Sequence, residues 1–228
     1  MAPIESAGNA TLPHVIDAGP FDAHAEAGAA TFHPDCGWRI RPCPSSVPVL
    51  IPPMNPETLV LSPEAREAAL YARLTALGIP WTTYEHAPVF TVDEAKALRG
   101  LVPGTHTKNL FLKNRDGLWL ICAREELSID LNAFAKRLGM QRFSFGSPEL
   151  LAETLGIVPG AVCAFALMND RAGRVRAIFD EGMLRHDPVA FHPMRNDRTT
   201  AISAADLLKF ARDTGHEPLI MALPERAI

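Results

Sequence analysis

Lys108 is the residue in this sequence whose placement first indicates chemistry. It lies in the stretch Thr-His-Thr-Lys-Asn-Leu-Phe-Leu-Lys (residues 105–113), whose alternation of polar and apolar residues predicts a β-strand. In that strand Lys108 shares a face with Leu110 and Leu112, and Asn109 lies on the other face. A lysine beside two leucines either extends its ammonium to water from the strand end or delivers it to a site. Residue type alone favours the first interpretation.

Two loops with a Pro-Gly pair precede predicted strands, at residues 102–104 (Val-Pro-Gly) and 156–160 (Gly-Ile-Val-Pro-Gly). Turns of this kind expose backbone amides, which can bind an oxyanion, a carboxylate or a phosphate without a charged side chain. A third polar stretch, residues 191–199, offers His192, Asn196 and Thr199 as hydrogen-bonding groups between two strands. Each feature taken singly is better explained as an ordinary turn or surface loop.

The common catalytic motifs are absent from the sequence. It contains no G-x-S-x-G, H-E-x-x-H, Walker or G-x-G-x-x-G pattern. The spacing of His186, Asp187 and His192 matches no known metal site, and no cysteine pair has zinc-ligand spacing. Cys163 lies in an apolar run, where burial would raise its pKa and leave an inert thiol. We therefore expect neither a metal nor a cofactor.

Composition describes an ordinary soluble globular protein. The 228 residues are 47% hydrophobic and 21% charged, with a formal net charge of −4. Residues 1–56 carry five acids and two bases, so residues 57–228 are nearly neutral. Their charge therefore gives no indication that the domain binds a long nucleic acid. The longest apolar run, residues 161–168, is too short to cross a bilayer, and no secretory signal is apparent. We expect a cytoplasmic protein without membrane contact.

Proline divides the chain into two parts. Residues 1–56 hold ten of the twenty prolines and show no periodicity, which predicts a flexible N-terminal extension. Met54 stands just before the first ordered signals, so translation could also start there. Residues 57–228 are predicted to form one domain.

Within that domain, helices and strands alternate irregularly. N-cap signals at Ser62, Thr91, Asp130, Ser147 and Ser203 predict five helices, each followed by glycine. Strands are predicted at residues 81–85, 105–113, 118–123, 143–145, 161–168, 175–179, 189–192 and 199–202. At least two hairpins interrupt the alternation. The expected fold class is α/β (α+β), a mixed and largely antiparallel sheet packed by helices.

Three of these segments together resemble a known family. Thr107-Lys108-Asn109-Leu110, Gly156-x-x-Pro159-Gly160 and Phe191-His192-Pro193-x-x-Asn196, in this order and spacing, resemble the YbaK/prolyl-tRNA synthetase-associated editing domain. The resemblance covers roughly residues 60–223 and is closest to the free-standing deacylases that act on Ala-tRNA(Pro). The Pro-rich extension has no counterpart in that pattern.

The resemblance implies hydrolysis of the ester that joins a wrong amino acid to the terminal adenosine of tRNA. Such an ester is already activated, so the protein needs only to orient water, support the oxyanion and exclude the correct side chain. Lys108 would bind the terminal phosphate or ribose, and the Gly156–Gly160 loop would meet it around a small cleft. The implied catalytic residues are Lys108, Gly156, Pro159 and Gly160, and the implied substrate-binding residues are Asn109, Ile157, Val158, His192, Asn196 and Thr199.

The implied substrate is tRNA(Pro) carrying the wrong amino acid at its acceptor end, most simply alanine. A synthetase pocket built for proline admits alanine, so a second, smaller site would act as the fine sieve. Two alternatives stay open: a Cys-tRNA(Pro) type of deacylase, and a non-catalytic module that binds aminoacyl-tRNA or its synthetase. Prolyl-tRNA synthetase and an elongation factor are further candidate partners.

Overall fold

The computed structural model describes residues 4–5, 61–86 and 102–226. The predicted helix that starts at Thr91, the possible start at Met54 and nearly all of the Pro-rich extension lie outside the described residues. Four of the five predicted helices lie within them and are confirmed. They are α1 (Pro63–Ala76), α2 (Leu131–Arg137), α3 (Pro148–Leu155) and α4 (Ala204–Asp213).

Each of these helices begins at the N-cap residue that the sequence indicates. The hydroxyls of Ser62, Ser147 and Ser203 accept hydrogen bonds from the backbone N–H three residues later, at 3.0–3.2 Å. The Asp130 carboxylate accepts two such bonds at the start of α2. These bonds satisfy donors that a helix leaves unpaired in its first turn, which is why the starts are readable from sequence.

Nine strands in the described part of the chain form one mixed sheet in the order β1-β2-β8-β7-β3-β4-β6-β9, with β5 against the end of β3. Five pairings are antiparallel and three are parallel, which confirms the predicted largely antiparallel sheet. The strands are β1 (Ile4–Glu5), β2 (Thr82–Glu85), β3 (Thr105–Asn114), β4 (Gly117–Arg124), β5 (Ser144–Phe145), β6 (Val175–Asp180), β7 (Val189–Phe191), β8 (Arg198–Ile202) and β9 (Leu219–Met221).

Strand β3, which contains Lys108, lies in the interior of the sheet. One of its edges pairs with β4 from Thr107 to Asn114. Its other edge pairs with β7 only at Thr105 and His106, and with β5 only at Leu112 and Lys113. Among the described strands, none pairs with residues 107–111 on that edge. We call residues 107–111 on this edge the β3 gap. At its two ends the Phe111 carbonyl oxygen accepts the Gly146 N–H at 3.0 Å, and the Thr107 hydroxyl donates to the carbonyl oxygen of Ala190 at 2.8 Å.

Two hydrophobic clusters cover the two faces of the sheet around β3. Phe111 and Cys122 belong to the first cluster, which also contains Leu70, Leu155 and Ile157. The second cluster contains Leu112, Ile121, Ala123 and Phe134, with Leu110 packed against it. The alternation predicted for β3 is therefore confirmed, and each face buries its own set of apolar side chains.

The predicted strand at residues 161–168 is wrong. The segment Ala164–Asn169 forms a 3-10 helix instead, with Ala164, Phe165, Ala166 and Leu167 all buried. A short run that is apolar on every side gives no periodicity by which to separate a strand from a buried helical turn. The short strand β9 was not predicted, because its three residues follow helix α4 without a turn signal of their own.

Candidate active site at the β3 gap

Lys108 is half-buried and forms no hydrogen bond or ion pair within the part of the chain that the structure describes. Burial lowers the pKa of its ammonium, although Glu126, Glu125 and Glu225 lie near enough to oppose that shift. A lysine that served only to support the strand would extend to water or pair with one of these carboxylates. Since no described residue accepts a hydrogen bond from the Lys108 ammonium, its three N–H donors are available for a ligand.

Asn109 projects from the opposite face of β3, where its register partner is Cys122. Its Oδ1 atom is buried and has no hydrogen-bond partner among the described residues. A buried amide oxygen without a donor carries a desolvation cost of about 1–3 kcal/mol. Such a group at the β3 gap is explained if a ligand supplies the missing donor.

His192 directly follows β7. That strand runs parallel to β3 with Ala190 beside His106, and the pairing of the two strands ends there, two residues before His192. The Nδ1 atom lies 2.8 Å from the carbonyl oxygen of Arg198. Since a carbonyl only accepts, Nδ1 carries the proton, and Nε2 of the neutral ring is an acceptor.

The neutral form of His192 is favoured by its surroundings. Burial lowers the pKa of the ring and the nearby His86 lowers it further, although the bond to Arg198 opposes them. The two rings are 5.9 Å apart between centroids. His86 Nε2 lies 2.9 Å from the Thr199 hydroxyl, so the buried Thr199 supports His86.

The loop that carries His192 is anchored by a buried ion-pair network. The Glu67 carboxylate on α1 accepts hydrogen bonds from Arg195 at 3.0 Å and from Arg198 at 2.9 Å. Arg195 also forms a bidentate pair with Asp197. The side chain of Asn196, between these anchored residues, forms no hydrogen bond with the described part of the chain. The network fixes the backbone on both sides of Asn196 and leaves its amide available.

The Gly156–Gly160 loop leaves α3 through a left-handed residue. Gly156 has φ 63° and ends the helix, and its carbonyl oxygen accepts a hydrogen bond from Arg66 Nη1 at 3.2 Å. Val158, Pro159 and Gly160 are exposed, whereas the side chain of Ile157 is fully buried in the first cluster. Within the described residues the N–H groups of Val158 and Gly160 donate no hydrogen bond, so they are available to an anion or a carbonyl.

The glycine loop and the histidine loop are connected through Asn169. Its Nδ2 donates to the carbonyl oxygen of Leu155 at 2.8 Å and contacts Met194 Sδ at 3.6 Å. A Cβ atom at Gly156 would approach the same Nδ2 to 3.2 Å. The structure therefore brings two of the three sequence-predicted segments against one side chain.

Lys108 and the glycine loop lie on opposite faces of the sheet. Ile157 packs in the first cluster with Phe111, whereas Lys108 shares the face of Leu110 and Leu112. Cavities of about 430 Å³ beside Trp81 and about 190 Å³ beside Arg124 include neither group. The small cleft expected between lysine and loop stays a prediction.

The other Pro-Gly loop has a structural explanation. Gly104 has φ 99°, and a Cβ atom there would lie 2.1 Å from the carbonyl oxygen of Pro188. The next residue, Thr105, donates its N–H to that carbonyl at 2.8 Å. Gly104 is required because only a residue without a side chain lets the segment before β7 approach β3 so closely.

Arg66 is the residue at this site that the sequence analysis missed. It is 5% exposed and lies on the core-facing stripe of α1, four residues before Leu70 and eight before Leu74. Arginine in an apolar stripe at helical spacing is the signal that identifies it. Its Nε atom is buried without a hydrogen-bond partner in the described residues.

Within the described residues, no group of three or more His, Cys, Asp or Glu side chains is arranged to hold a metal ion. Cys163 is fully buried, and burial raises its pKa to about 11. That direction agrees with the prediction of an inert thiol. Among the described helices, none is both long and apolar enough to span a bilayer.

Comparison with known proteins gives a consistent result. Residues 86–210 match the family described as the aminoacyl-tRNA editing domain. The chain is 38% identical over 160 residues to the prolyl-tRNA synthetase associated domain-containing protein 1 of Bos taurus, covering 68% of this chain and 93% of the relative. It is 32% identical over 155 residues to the prolyl-tRNA editing protein ProX of Acetoanaerobium sticklandii, covering 67% and 94%.

A crystal structure with a similar fold has been solved. A crystal structure reported as a candidate trans-editing enzyme for prolyl-tRNA synthetase superposes with a TM-score of 0.56 at 22% identity. The superposition covers 73% of this chain and 99% of that one. At this identity the likeness concerns the arrangement of sheet and helices.

Proposed function

Because the chain belongs to the aminoacyl-tRNA editing domain family, we propose that it hydrolyses the ester of mischarged tRNA(Pro), releasing the amino acid and free tRNA. The observation that carries this proposal is the pair of unpartnered polar groups at the β3 gap. Lys108 offers an ammonium on one face and Asn109 a buried amide oxygen on the other. A ligand with both negative charge and hydrogen-bond donors, such as a 3′-terminal nucleotide, satisfies both groups.

In this proposal Lys108 binds the terminal phosphate or ribose, and Asn109 accepts a hydrogen bond from a hydroxyl or amine of the substrate. His192 adds a second acceptor, its Nε2, for the attacking water or a ribose hydroxyl. The exposed N–H groups of Val158 and Gly160 are suited to the ester carbonyl as its oxygen becomes an anion. No strong nucleophile is required, since an aminoacyl ester is already activated.

We further propose alanine as the preferred amino acid. A smaller side chain always enters the synthetase pocket for proline, and a methylene group changes binding by only about 1–3 kcal/mol. A deacylase that excludes proline by size corrects this error. Cysteine is the competing substrate because its side chain is only slightly larger than that of alanine.

The test is deacylation of Ala-tRNA(Pro), Cys-tRNA(Pro) and Pro-tRNA(Pro) at equal concentrations. We expect the alanyl ester to react fastest and the prolyl ester to survive as it does without protein. Faster release of cysteine would assign the Cys-tRNA(Pro) type. Absence of turnover with all three would refute the hydrolase and leave a module that only binds aminoacyl-tRNA.

The proposed partner is the acceptor end of tRNA(Pro), with prolyl-tRNA synthetase or an elongation factor as further candidates, and the proposed location is the cytoplasm. The names of the relatives support the connection to prolyl-tRNA synthetase. A pull-down with the synthetase, with and without tRNA(Pro), would decide whether the two proteins bind directly or only through the tRNA.

A further inference from the structure

We propose that Arg66 is a positioning residue that holds the Gly156–Gly160 loop in the geometry needed for ester hydrolysis. This inference rests on the proposed function. Its structural basis is a hydrogen bond that Arg66 Nη1 donates to the carbonyl oxygen of Gly156 at 3.2 Å, the one bond of this guanidinium among the described residues. The two residues are ninety positions apart in sequence, so the bond joins the first turn of α1 to the end of α3.

The guanidinium of Arg66 is unusual because it is buried without an ion-pair partner. It is 5% exposed, and no carboxylate forms an ion pair with it in the described part of the chain. Burial lowers its pKa and the positive charge of Arg195 acts in the same direction, whereas the Cys163 side chain and the more distant Glu64 carboxylate oppose the shift. It also lies at the N-terminal end of α1, where the helix dipole disfavours a cation. Burial, the repulsion from Arg195 and the helix dipole each lower the stability of the fold.

The side of the sheet that α1 covers contains further unsatisfied polar groups. Three buried side-chain atoms in the described residues lack a hydrogen-bond partner: Arg66 Nε, Asn109 Oδ1 and Thr154 Oγ1. Thr154 comes two residues before Gly156, and Asn109 faces the cluster that contains Ile157. Buried groups of this kind concentrate where a protein gives up stability for function.

A cation bonded to the Gly156 carbonyl acts on the loop in two ways. It fixes the direction of the peptide groups that follow, including the N–H groups of Val158 and Gly160. It also places a positive charge without an ion-pair partner in a poorly solvated region, where charge interactions are stronger than in water. Both effects stabilise an anion at the loop, and the negative charge on the ester oxygen develops only in the transition state.

The test compares Arg66→Met, Arg66→Lys and the control Arg73→Met. Methionine fills a similar volume without charge or donor, and lysine keeps the charge. Arg73 lies on the same helix but is exposed and paired with Asp213. We measure kcat and KM for Ala-tRNA(Pro), the melting temperature, and amide hydrogen exchange at Gly156 and Ala161, whose N–H groups donate to Ala152 and Val158 at the two ends of the loop.

For Arg66→Met we expect kcat to fall roughly 10- to 100-fold with KM changed less than about threefold, the pattern of a misplaced catalytic group. The melting temperature should stay the same or rise, because replacing a buried charge that has no ion-pair partner by an apolar side chain removes its desolvation cost. Exchange at Gly156 and Ala161 should accelerate. Arg66→Lys should recover part of kcat. Arg73→Met should leave kcat, KM and loop exchange unchanged and lower the melting temperature by no more than a few degrees, since it removes only an exposed ion pair.

Unchanged kcat in Arg66→Met, or a lower melting temperature with normal loop exchange, would overturn the inference and give Arg66 a purely structural role. If the wild-type protein deacylates none of the esters, the proposed function fails. Hydrogen exchange then still decides whether Arg66 holds the loop, because that measurement needs no substrate.

Discussion

Lys108 and Asn109 are adjacent in sequence but serve opposite faces of one strand. Strand geometry makes this inevitable. In the proposed function, one ligand contacts both side chains. The structure shows Lys108 as partly buried, with an ammonium that forms no hydrogen bond or ion pair with the described residues.

We expect Lys108→Ala to lower deacylation of Ala-tRNA(Pro) roughly 100-fold, the loss typical of removing one group that stabilises developing charge. The melting temperature should change little, because Lys108 forms no bond that supports the fold. Lys113→Ala is the matched control, since Lys113 is exposed on the same strand. A large drop in melting temperature for Lys108→Ala would return the residue to a structural role.

His192 predicts the pH dependence of the reaction. Burial lowers the pKa of its ring, so the ring stays neutral down to a pH below the ordinary histidine value of about 6.5. We expect kcat to stay flat on the acid side through pH 6.5 and to fall only below it, as His192 gains a proton.

His192→Gln should remove this fall in kcat at low pH (the acid limb of the pH profile), because a glutamine keeps an acceptor but does not titrate. His106→Gln should keep the limb and move it slightly to higher pH, because His106 bonds the carbonyl oxygen of Val102 and contributes to the lowered pKa of His192 only through its charge. An acid limb that begins above pH 6.5 in the wild-type protein would count against a neutral His192.

At the scale of elements, the close contact between Gly104 and Pro188 fixes how the start of β3 lies against the segment before β7. Gly104→Ala would place its Cβ 2.1 Å from the Pro188 carbonyl oxygen, and backbone on both sides prevents an easy shift. We expect a loss of about 3 kcal/mol or more in the free energy of unfolding.

Gly173→Ala is the control for Gly104→Ala. Gly173 has φ 62° but open space around its Cβ position, so it should lose only about 1–2 kcal/mol from backbone strain. Chemical denaturation of both variants measures the difference. Equal losses would show that the approach to Pro188 contributes nothing beyond the left-handed conformation.

A buried Asp170–His216 pair joins the end of α4 to the turn before β6. Asp170 Oδ2 lies 3.1 Å from His216 Nε2 and accepts the N–H of Val175 at 2.7 Å. Burial alone would raise the pKa of Asp170, but these hydrogen bonds outweigh it and the pKa lies below its ordinary value. The carboxylate therefore contributes stability that is present above about pH 4 and is lost as pH falls through the folded-state pKa.

Asp170→Asn should lower the free energy of unfolding at pH 7 by about 3 kcal/mol. The gap to the wild-type protein should narrow as pH falls below 4, because the wild type loses its carboxylate there. Asp213→Asn, at an exposed pair with Arg73, should cost less than about 1 kcal/mol. A gap that stays constant down to low pH would contradict this assignment.

For the whole molecule, we propose that residues 57–228 suffice for the editing activity. Removing residues 1–56 would take away β1, whose two residues pair with Thr82 and Thr83. Since so short a strand stabilises little, we expect the fragment to melt within a few degrees of the full chain and to deacylate at a similar rate. A fragment that fails to fold would show that the domain boundary is misplaced.

The sequence predicted most of the fold from local chemistry. The caps at Ser62, Asp130, Ser147 and Ser203 are satisfied by bonds within a few residues, so their residue types alone locate the helices. The faces of β3 follow from its alternation. The run at 161–168 carried no comparable local signal, since burial on all sides suits a strand and a 3-10 helix equally, and its assignment failed.

The sequence by itself determined which residues are chemically unusual: Lys108 among leucines, two Pro-Gly loops and a polar stretch around His192. Only the tertiary structure decided how they combine. Gly104 proved to be needed for close packing against Pro188. One edge of β3 beside Lys108 has no paired strand among the described residues. Arg66 bonds to Gly156, ninety positions away in the sequence. The physical reason is the sequence separation over which the interactions act. Helix caps and strand alternation depend on residues a few positions apart, whereas burial, desolvation and the lack of a hydrogen-bond partner depend on which distant residues the fold brings nearby.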